Sequence, residues 1–307
     1  MELKSKLAFI FPGQGSQYKG MGKDLYDSYQ FSKKIYNLAN EILEYDIKSI
    51  CFEDQNQDLN KTIFTQPAIF INSFILHQIL KKKNISPSIC AGHSLGEISA
   101  IVCSGCLTFE EGLKIIKIRS KEMFIAGEKK PGSMVAVINP MIKAIEGLQE
   151  SFDFYFANYN SPKQIILSGR TNEINKISNE IKKNNLGKTI PLNVSGAFHS
   201  PLMNPASKAL QTIINSLNFN DANIPVYQNY DAEPSTKSNS IKTKLLLQLN
   251  NPVKWHKTIN NMKKNTNKFL EIGPKNILSN LNKSIDESIE SFNISNKIDL
   301  NNFFNEA

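Results

Sequence analysis

The feature that most constrains this chain is a serine set between two glycines, Gly92-His93-Ser94-Leu95-Gly96. It is entered from the apolar run Ile89-Cys90-Ala91. It is left along Leu95, Ile98, Ile101, Val102 and Cys106, which fall on one helical face. A strand that turns within a residue or two into a helix brings backbones close together, and glycine puts no side chain in the way. The serine then stands at a helix N-terminus, where free N–H groups stabilise developing negative charge. This strand–turn–helix context is that of a nucleophile elbow, so Ser94 is the candidate nucleophile.

The rest of the chain alternates strands and helices around that elbow. Leu7 to Phe11 reads as a buried first strand ending at Pro12-Gly13, Thr65 to Leu80 as a helix, and Phe109 to Ala126 as another. Such alternation implies an α/β domain with a largely parallel sheet. The pattern then changes. Met134 to Ile138 reads as a strand and Ile142 to Gln149 as a helix. Phe152 to Asn158 and Gln164 to Ser168 read as strands joined by a turn at Asn160-Ser161-Pro162. Ile174, Ile177 and Ile181 mark an amphipathic helix, and Thr189 to Val194 a closing strand. The order β-α-β-β-α-β is the ferredoxin-like arrangement. The expected fold is therefore a hydrolase-like α/β catalytic domain over residues 1–129 and 196–307, interrupted by a ferredoxin-like subdomain over 130–195. Ile224 to Gln228 and Phe269 to Ile272 read as later core strands. Asp231 to Ser240 reads as a polar loop, and the Asn-rich tail beyond Ser284 as partly loose.

Composition narrows the functional classes. With 307 residues, 40% hydrophobic and 21% charged, the chain can bury a sizeable core. A formal net charge of +8 favours acidic or phosphate-bearing partners. No Lys/Arg block interleaved with aromatics points to nucleic acid, and the densest run, Lys81-Lys82-Lys83, reads as a solvated helix end. Cys51, Cys90, Cys103 and Cys106 are too few for a disulfide framework, and the pair Cys103-x-x-Cys106 lacks the second pair of a zinc site. Reduced thiols, a cytoplasmic location and no bound metal are expected. No apolar run reaches about 18 residues, so no membrane span is expected.

A serine nucleophile needs a base, and there are four histidines. His93 adjoins the serine on a sharp turn, so its ring should point elsewhere. His77 lies on an apolar helical segment and reads as a packed side chain. His199, in Gly196-Ala197-Phe198-His199-Ser200, leaves the inserted subdomain on a loop placed to face a cleft, and is the leading candidate. His256, after Trp255 in a segment that reads as a helix, is the alternative. Two glycine-bearing segments are decoys. Gly13-Gln14-Gly15-Ser16-Gln17-Tyr18 has tyrosine where a dinucleotide loop needs its third glycine, and Gly22-Lys23 lacks the earlier P-loop glycine.

The segments Phe11-Pro12-Gly13-Gln14-Gly15-Ser16-Gln17, Gly92-His93-Ser94-Leu95-Gly96-Glu97 and Gly196-Ala197-Phe198-His199-Ser200 together closely resemble the malonyl-CoA:acyl carrier protein transacylases. Asn160-Ser161-Pro162, Gln248-Leu249 before Pro252-Val253-Lys254-Trp255, and Glu271-Ile272-Gly273-Pro274 match further blocks, so the likeness runs from residue 9 to about residue 280. The resemblance implies a ping-pong transfer of malonyl from malonyl-CoA, through an ester on Ser94, to the phosphopantetheine thiol of acyl carrier protein, for fatty acid biosynthesis. It implies His199 as base, oriented by the backbone carbonyl of Gln248. It implies an oxyanion hole from the N–H groups of Gln14 and Leu95. Arg119 aligns with the arginine that grips the free malonyl carboxylate, a task suited to a forked guanidinium. Phe198 before the histidine and Leu95 after the serine fit malonyl users among related domains, whereas Gly196 stands where many carry histidine. No bound cofactor is implied; malonyl-CoA is substrate, coenzyme A is product, and the family is usually monomeric.

Two other readings compete. A serine esterase or thioesterase of the α/β-hydrolase type shares the elbow, but its late histidine would have to be His256. A carrier-protein docking module that has lost activity would not be expected to keep every catalytic position filled.

Overall fold

The computed structural model describes residues 6–194 and 196–306. The main sheet grows outward from β1 (Leu7–Phe11), whose five residues Leu-Ala-Phe-Ile-Phe are all buried. A continuous apolar run of this kind suits a central parallel strand covered on both faces. Three short helices follow, α1 (Lys23–Ser28), α2 (Gln30–Leu43) and α3 (Ile47–Phe52). Then come α4 (Thr62–Lys82), β2 (Ile89–Gly92), α5 (Leu95–Cys103) and α6 (Phe109–Lys129). The second unit is β3 (Gly132–Ile138), α7 (Ile142–Gly147), β4 (Tyr155–Ser161), β5 (Gln164–Arg170), α8 (Thr171–Lys183) and β6 (Lys188–Pro191). The chain returns through α9 (Asn204–Ser216), β7 (Val226–Tyr227), β8 (Pro234–Ser235), α10 (Ser238–Gln248) and α11 (Trp255–Met262). It ends with β9 (Lys268–Ile272), α12 (Ile277–Ile285), β10 (Glu290–Ile294) and α13 (Lys297–Glu306).

The first sheet has strand order β10-β9-β1-β2-β7-β8. Every neighbouring pair is parallel except β7 with β8. The second sheet, β4-β5-β3-β6, is antiparallel throughout, the arrangement that a ferredoxin-like β-α-β-β-α-β unit makes. One of its faces buries Val135, Val137, Ile165 and Leu167 against Ile174, Ile177 and Ile181 of α8. Met134, Ala136 and Ile166 join the main core. The α/β fold with a largely parallel sheet and a ferredoxin-like unit is thus the one expected.

Local chemistry explains two of the longer helices. Helix α6 opens with a capping box, Thr108 accepting from the Glu111 N–H and Glu111 from the Thr108 N–H. Helix α4 contains Pro67, which cannot donate to the carbonyl of Ile63; the Tyr45 hydroxyl donates there instead, at 3.2 Å. By length and composition α4 could cross a membrane, but 78% of its apolar window is buried inside the protein, as a core helix would be.

Several elements differ from expectation. The Asn-rich tail is ordered: β10 extends the sheet beside β9, and α13 buries Leu300. Its apolar anchors, Ile289, Ile294 and Leu300, are too sparse for periodicity to stand out among polar residues. Residues 231–240 carry β8 and the start of α10 rather than a plain loop. Strand β4 continues through Asn160 and Ser161, so the turn falls at Pro162-Lys163. Strand β6 stops at Pro191, short of Val194, although the Leu192 N–H still donates to Met134 O at 3.0 Å. Helix α5 ends at Cys103, before Cys106. Gly105 at φ 81° lets the Gly105 and Cys106 N–H groups turn back to Val102 and Ile101, closing the helix. All four cysteines are free, and the Cys103 thiol packs 3.3 Å from Nε2 of the buried His77.

Ile10 is fully buried in β1, and Ile10→Ala leaves a cavity in the central strand. It is expected to lower the unfolding free energy by about 2–5 kcal/mol, read as a shifted urea midpoint at unchanged slope.

Candidate active site

The site forms at the carboxyl ends of β1, β2 and β7, where the chain must leave the sheet. The His93 N–H donates to Phe11 O at 3.0 Å, tying the elbow to β1. A Cβ on Gly92 would lie 1.9 Å from the backbone of Gly96, and one on Gly96 would lie 2.0 Å from Phe11 O. Both positions therefore need glycine for close approach, although neither has positive φ. Ser94 itself takes the strained conformation, φ 53° and ψ −103°, at the N-cap of α5. Its side chain makes no cap hydrogen bond, so the hydroxyl faces the cleft.

Two groups converge on that hydroxyl. Ser94 Oγ lies 2.7 Å from His199 Nε2 and accepts from Arg119 Nη2 at 2.9 Å. His199 Nδ1 lies 3.1 Å from Gln248 O and 3.2 Å from Asn251 O. Two carbonyl acceptors on one nitrogen place the ring proton on Nδ1 and leave Nε2 free to accept. His199 sits at φ 56°, at the loop that leaves the second sheet, and is the imidazole at Ser94. His256 makes no such contact, so the hydrolase order with a late base does not describe this chain.

Arg119 comes from the middle of α6 and is 2% exposed. Its Nη1 donates to Gln66 Oε1 at 2.7 Å, and Nη2 donates also to Gln248 Oε1 at 3.1 Å. The Gln248 amide donates in turn to Ser94 O at 2.8 Å. All these acceptors are neutral. A buried cation so held is poorly compensated and attracts an anion strongly. Burial lowers the Arg119 pKa to about 10, with the Glu97 carboxylate opposing the shift. Glu97, buried beneath the elbow, is pushed up by burial to about 7 while hydrogen bonds from Asn229 and Gln228 pull the other way.

A cavity of about 90 Å³ opens over Ser94. Gln14, Leu95 and Arg119 line it, with Met123, Met134 and Phe198 supplying an apolar wall. Leu95 is the first residue of α5, so its N–H has no partner within the helix. Gln14 lies in the loop after β1. The His93 ring does not point away: it lines the same cavity, with Nε2 2.9 Å from Asn160 Oδ1 and its ring beside Trp255. Among the described residues no group of His, Cys, Asp and Glu is placed to hold a metal.

Sequence reasoning missed Gln66, the side chain of Gln248, Asn251 and Asn229. Gln66 and Asn229 stand in no motif that marks them. Gln248 was expected for its carbonyl alone, yet its amide bridges Arg119 to the serine backbone.

A serine, an imidazole and a buried guanidinium at one point, on a parallel α/β sheet with a ferredoxin-like unit, define an acyltransferase. The family model described as acyl transferase domain matches residues 8–297. The malonyl CoA-acyl carrier protein transacylase of Bacillus subtilis (strain 168) is 36% identical over 297 residues, 95% of this chain and 94% of that protein. A solved structure of the malonyl CoA-acyl carrier protein transacylase from Clostridium perfringens superposes with TM-score 0.92 at 35% identity, covering 98% of this chain and 97% of that one. A second, of a malonyl-transacylase in complex with its type II polyketide synthase acyl-carrier protein, superposes with TM-score 0.92 at 29% identity, covering 99% of this chain and all of that one. The chain belongs to the malonyl CoA-acyl carrier protein transacylase family.

Burial first, and then the neighbouring Arg119 charge, disfavour the imidazolium and hold His199 at about 3. The ring should therefore stay neutral as pH falls from 7.5 to about 5, where a free imidazole of pKa about 6.5 is largely protonated. Ring ¹⁵N shifts measure this, and a midpoint near 6.5 contradicts it. The unfolded chain takes up that proton at the ordinary pKa, so this group favours unfolding progressively as pH drops below about 6.5.

Proposed function

We propose that this acyltransferase moves a malonyl group from malonyl-CoA to the phosphopantetheine thiol of acyl carrier protein, supplying the extender unit of fatty acid biosynthesis. The observation that carries the reading is Ser94 Oγ held at once by His199 Nε2 at 2.7 Å and Arg119 Nη2 at 2.9 Å. Nucleophile, base and a cation able to grip a free carboxylate meet at one atom. The substrates of the relatives, as their names state them, accord with that arrangement.

The chemistry follows from these positions. His199 Nε2 takes the Ser94 proton as Oγ attacks the thioester carbonyl. The oxyanion falls between the N–H groups of Leu95 and Gln14, one from a helix N-terminus and one from the loop after β1. When the tetrahedral intermediate collapses, the C–S bond breaks and His199 returns the proton to the departing sulfur of coenzyme A. Malonyl remains as an ester on Ser94. The carrier thiol then gives its proton to His199 and attacks the ester carbonyl, and His199 delivers that proton to Ser94 Oγ as the C–O bond breaks. Gln248 O and Asn251 O keep the ring in the right tautomer throughout. Arg119 trades its contact with Ser94 for the malonyl carboxylate, which neutralises a charge otherwise held by neutral amides. Met123, Met134 and Phe198 form the wall against the acyl chain, with Phe198 restricting an α-branch.

The net charge of +8 suits both donor and acceptor, since coenzyme A carries phosphates and carrier proteins of this type are acidic. Four free thiols accord with a reducing cytoplasmic compartment, where we place the enzyme as a monomer.

Incubation with malonyl-CoA should give a malonyl adduct by intact mass that Ser94→Ala abolishes; an adduct that persists removes Ser94 as nucleophile. Arg119→Ala should reduce transfer from malonyl-CoA far more than from acetyl-CoA, and equal losses would remove the carboxylate clamp. His199→Ala should slow acylation by about 10²–10⁴-fold, read by stopped-time adduct formation.

A further inference from the structure

Helix α5 has an unusual N-terminus. Its N-cap is Ser94, a residue type that normally turns its hydroxyl back to cap the first turn. Here the hydroxyl faces His199 and Arg119 and makes no cap bond. Its third helical residue is Glu97, placed where a capping-box glutamate would reach back to the N-cap N–H. Glu97 does not do so. Its carboxylate instead accepts from the Asn229 N–H at 2.6 Å and from Gln228 Nε2 at 3.2 Å. The Ser94 N–H is taken by Asn229 Oδ1 at 2.7 Å, and Asn229 Nδ2 donates to Gly92 O at 2.7 Å. Asn229, which follows β7 on the neighbouring strand, is thus interposed between the glutamate and the serine it would otherwise cap. It is fully buried, as are Glu97 and Gln228.

We propose that Asn229, anchored by Glu97, is the positioning residue of the nucleophile. It grips the elbow on both sides of His93, accepting from Ser94 and donating to Gly92, and so holds Ser94 at φ 53°, ψ −103° with Oγ in the cleft. Without the grip, the serine relaxes toward an ordinary N-cap and its hydroxyl turns to the helix. The same bond occupies the Ser94 N–H, so that group is not available to the oxyanion and the Leu95 N–H must serve. The inference rests on Ser94 being the nucleophile.

The prediction separates positioning from substrate binding. Asn229→Ala should slow single-turnover acylation by about 10–100-fold, the range that misplacing a reacting atom by about 1 Å produces. The loss should be equal for malonyl-CoA and acetyl-CoA, with KM for malonyl-CoA changed less than about threefold. Labelling of Ser94 by a small sulfonyl fluoride should slow in parallel, because the defect lies in the hydroxyl. Asn229→Asp keeps the size and the acceptor but loses the donor to Gly92, and should slow acylation about tenfold. Glu97→Ala should resemble Asn229→Ala, Glu97→Gln should recover most of the rate, and the Glu97→Ala/Asn229→Ala double variant should lose no more than either single one. A wild-type acylation rate in Asn229→Asp overturns the proposal, and so does a defect confined to KM or to malonyl-CoA. If Asn229→Ala does not fold, the Asp and Gln variants decide alone. An adduct that survives Ser94→Ala would instead overturn the nucleophile assignment and leave these rates to be read at another residue.

Discussion

The contact on which the site depends is the approach of α5 to β1 beneath the elbow. Gly96 packs so near Phe11 O that no Cβ fits, and Gly92 packs as closely on Gly96. This compression lets a helix begin one residue after a strand-end turn and forces Ser94 into a backbone region that side-chain-bearing residues avoid. The strain is sustained because the surroundings over-determine it. The His93 N–H is fixed to Phe11 O, the Ser94 N–H to Asn229, and Ser94 O to the Gln248 amide. Three separate segments, β1, the end of β7 and the end of α10, each take one backbone group of the turn. None could be lost without the others having to hold the strain alone.

The second constraint is electrostatic. Arg119 is buried with amide and hydroxyl oxygens as acceptors, an arrangement that costs stability and is kept where function requires it. The cost is moderated by the carboxylate of Glu97, which raises the Arg119 pKa against the effect of burial. The same positive charge reaches His199 and depresses its basicity. Burial first, and this charge second, make the imidazole a weak base. In the function proposed above, a bound carboxylate offsets the guanidinium charge and relieves that part of the depression, while burial of the ring remains. In that proposed function Arg119 acts twice, by gripping the carboxylate and through its field on His199.

What was legible in the sequence follows physical rules of short range. The elbow could be read because strand, glycines, serine and helix lie within about fifteen consecutive residues. The ferredoxin-like unit was readable because its strands and helices carry strong periodicity over two faces. His199 could be singled out because histidines are few and it leaves an inserted unit. Gln66 and Asn229 were not legible. An amide is common and weakly patterned, and their roles come from packing α4 against Arg119 of α6 and the end of β7 against the elbow, segments far apart in sequence. The order of the tail beyond Ser284 is illegible in the sequence for a related reason. Its order comes from pairing with β9 and from a few buried aliphatics, which are tertiary facts that composition obscures. His93 was expected to face away because neighbouring side chains on a turn diverge. It lines the cavity because Asn160 on β4 takes its Nε2.

The two sheets divide the chemistry between them. Ser94 and the helix N-terminus come from the parallel sheet, which fixes them through its strand ends. His199 arrives on the link leaving the antiparallel sheet, at φ 56°, with Nε2 against Ser94 Oγ. The segment that seats its imidazole, Gln248 to Asn251, is bound to that second sheet in turn. The Val253 N–H donates to Ala157 O at 2.8 Å, and the Tyr159 N–H donates to Val253 O at 2.9 Å. Strand β4 therefore supports the carbonyls that hold His199 as well as the asparagine that holds His93. A shift of the antiparallel sheet against the parallel one would move base and cavity wall together relative to the serine. The short strand-like bridge between Asn158 and Val253 is one of the ties against it, beside the packing of Met134, Ala136 and Ile166 in the main core. Two backbone hydrogen bonds at the edge of one sheet thus help to seat the imidazole against a hydroxyl on the other.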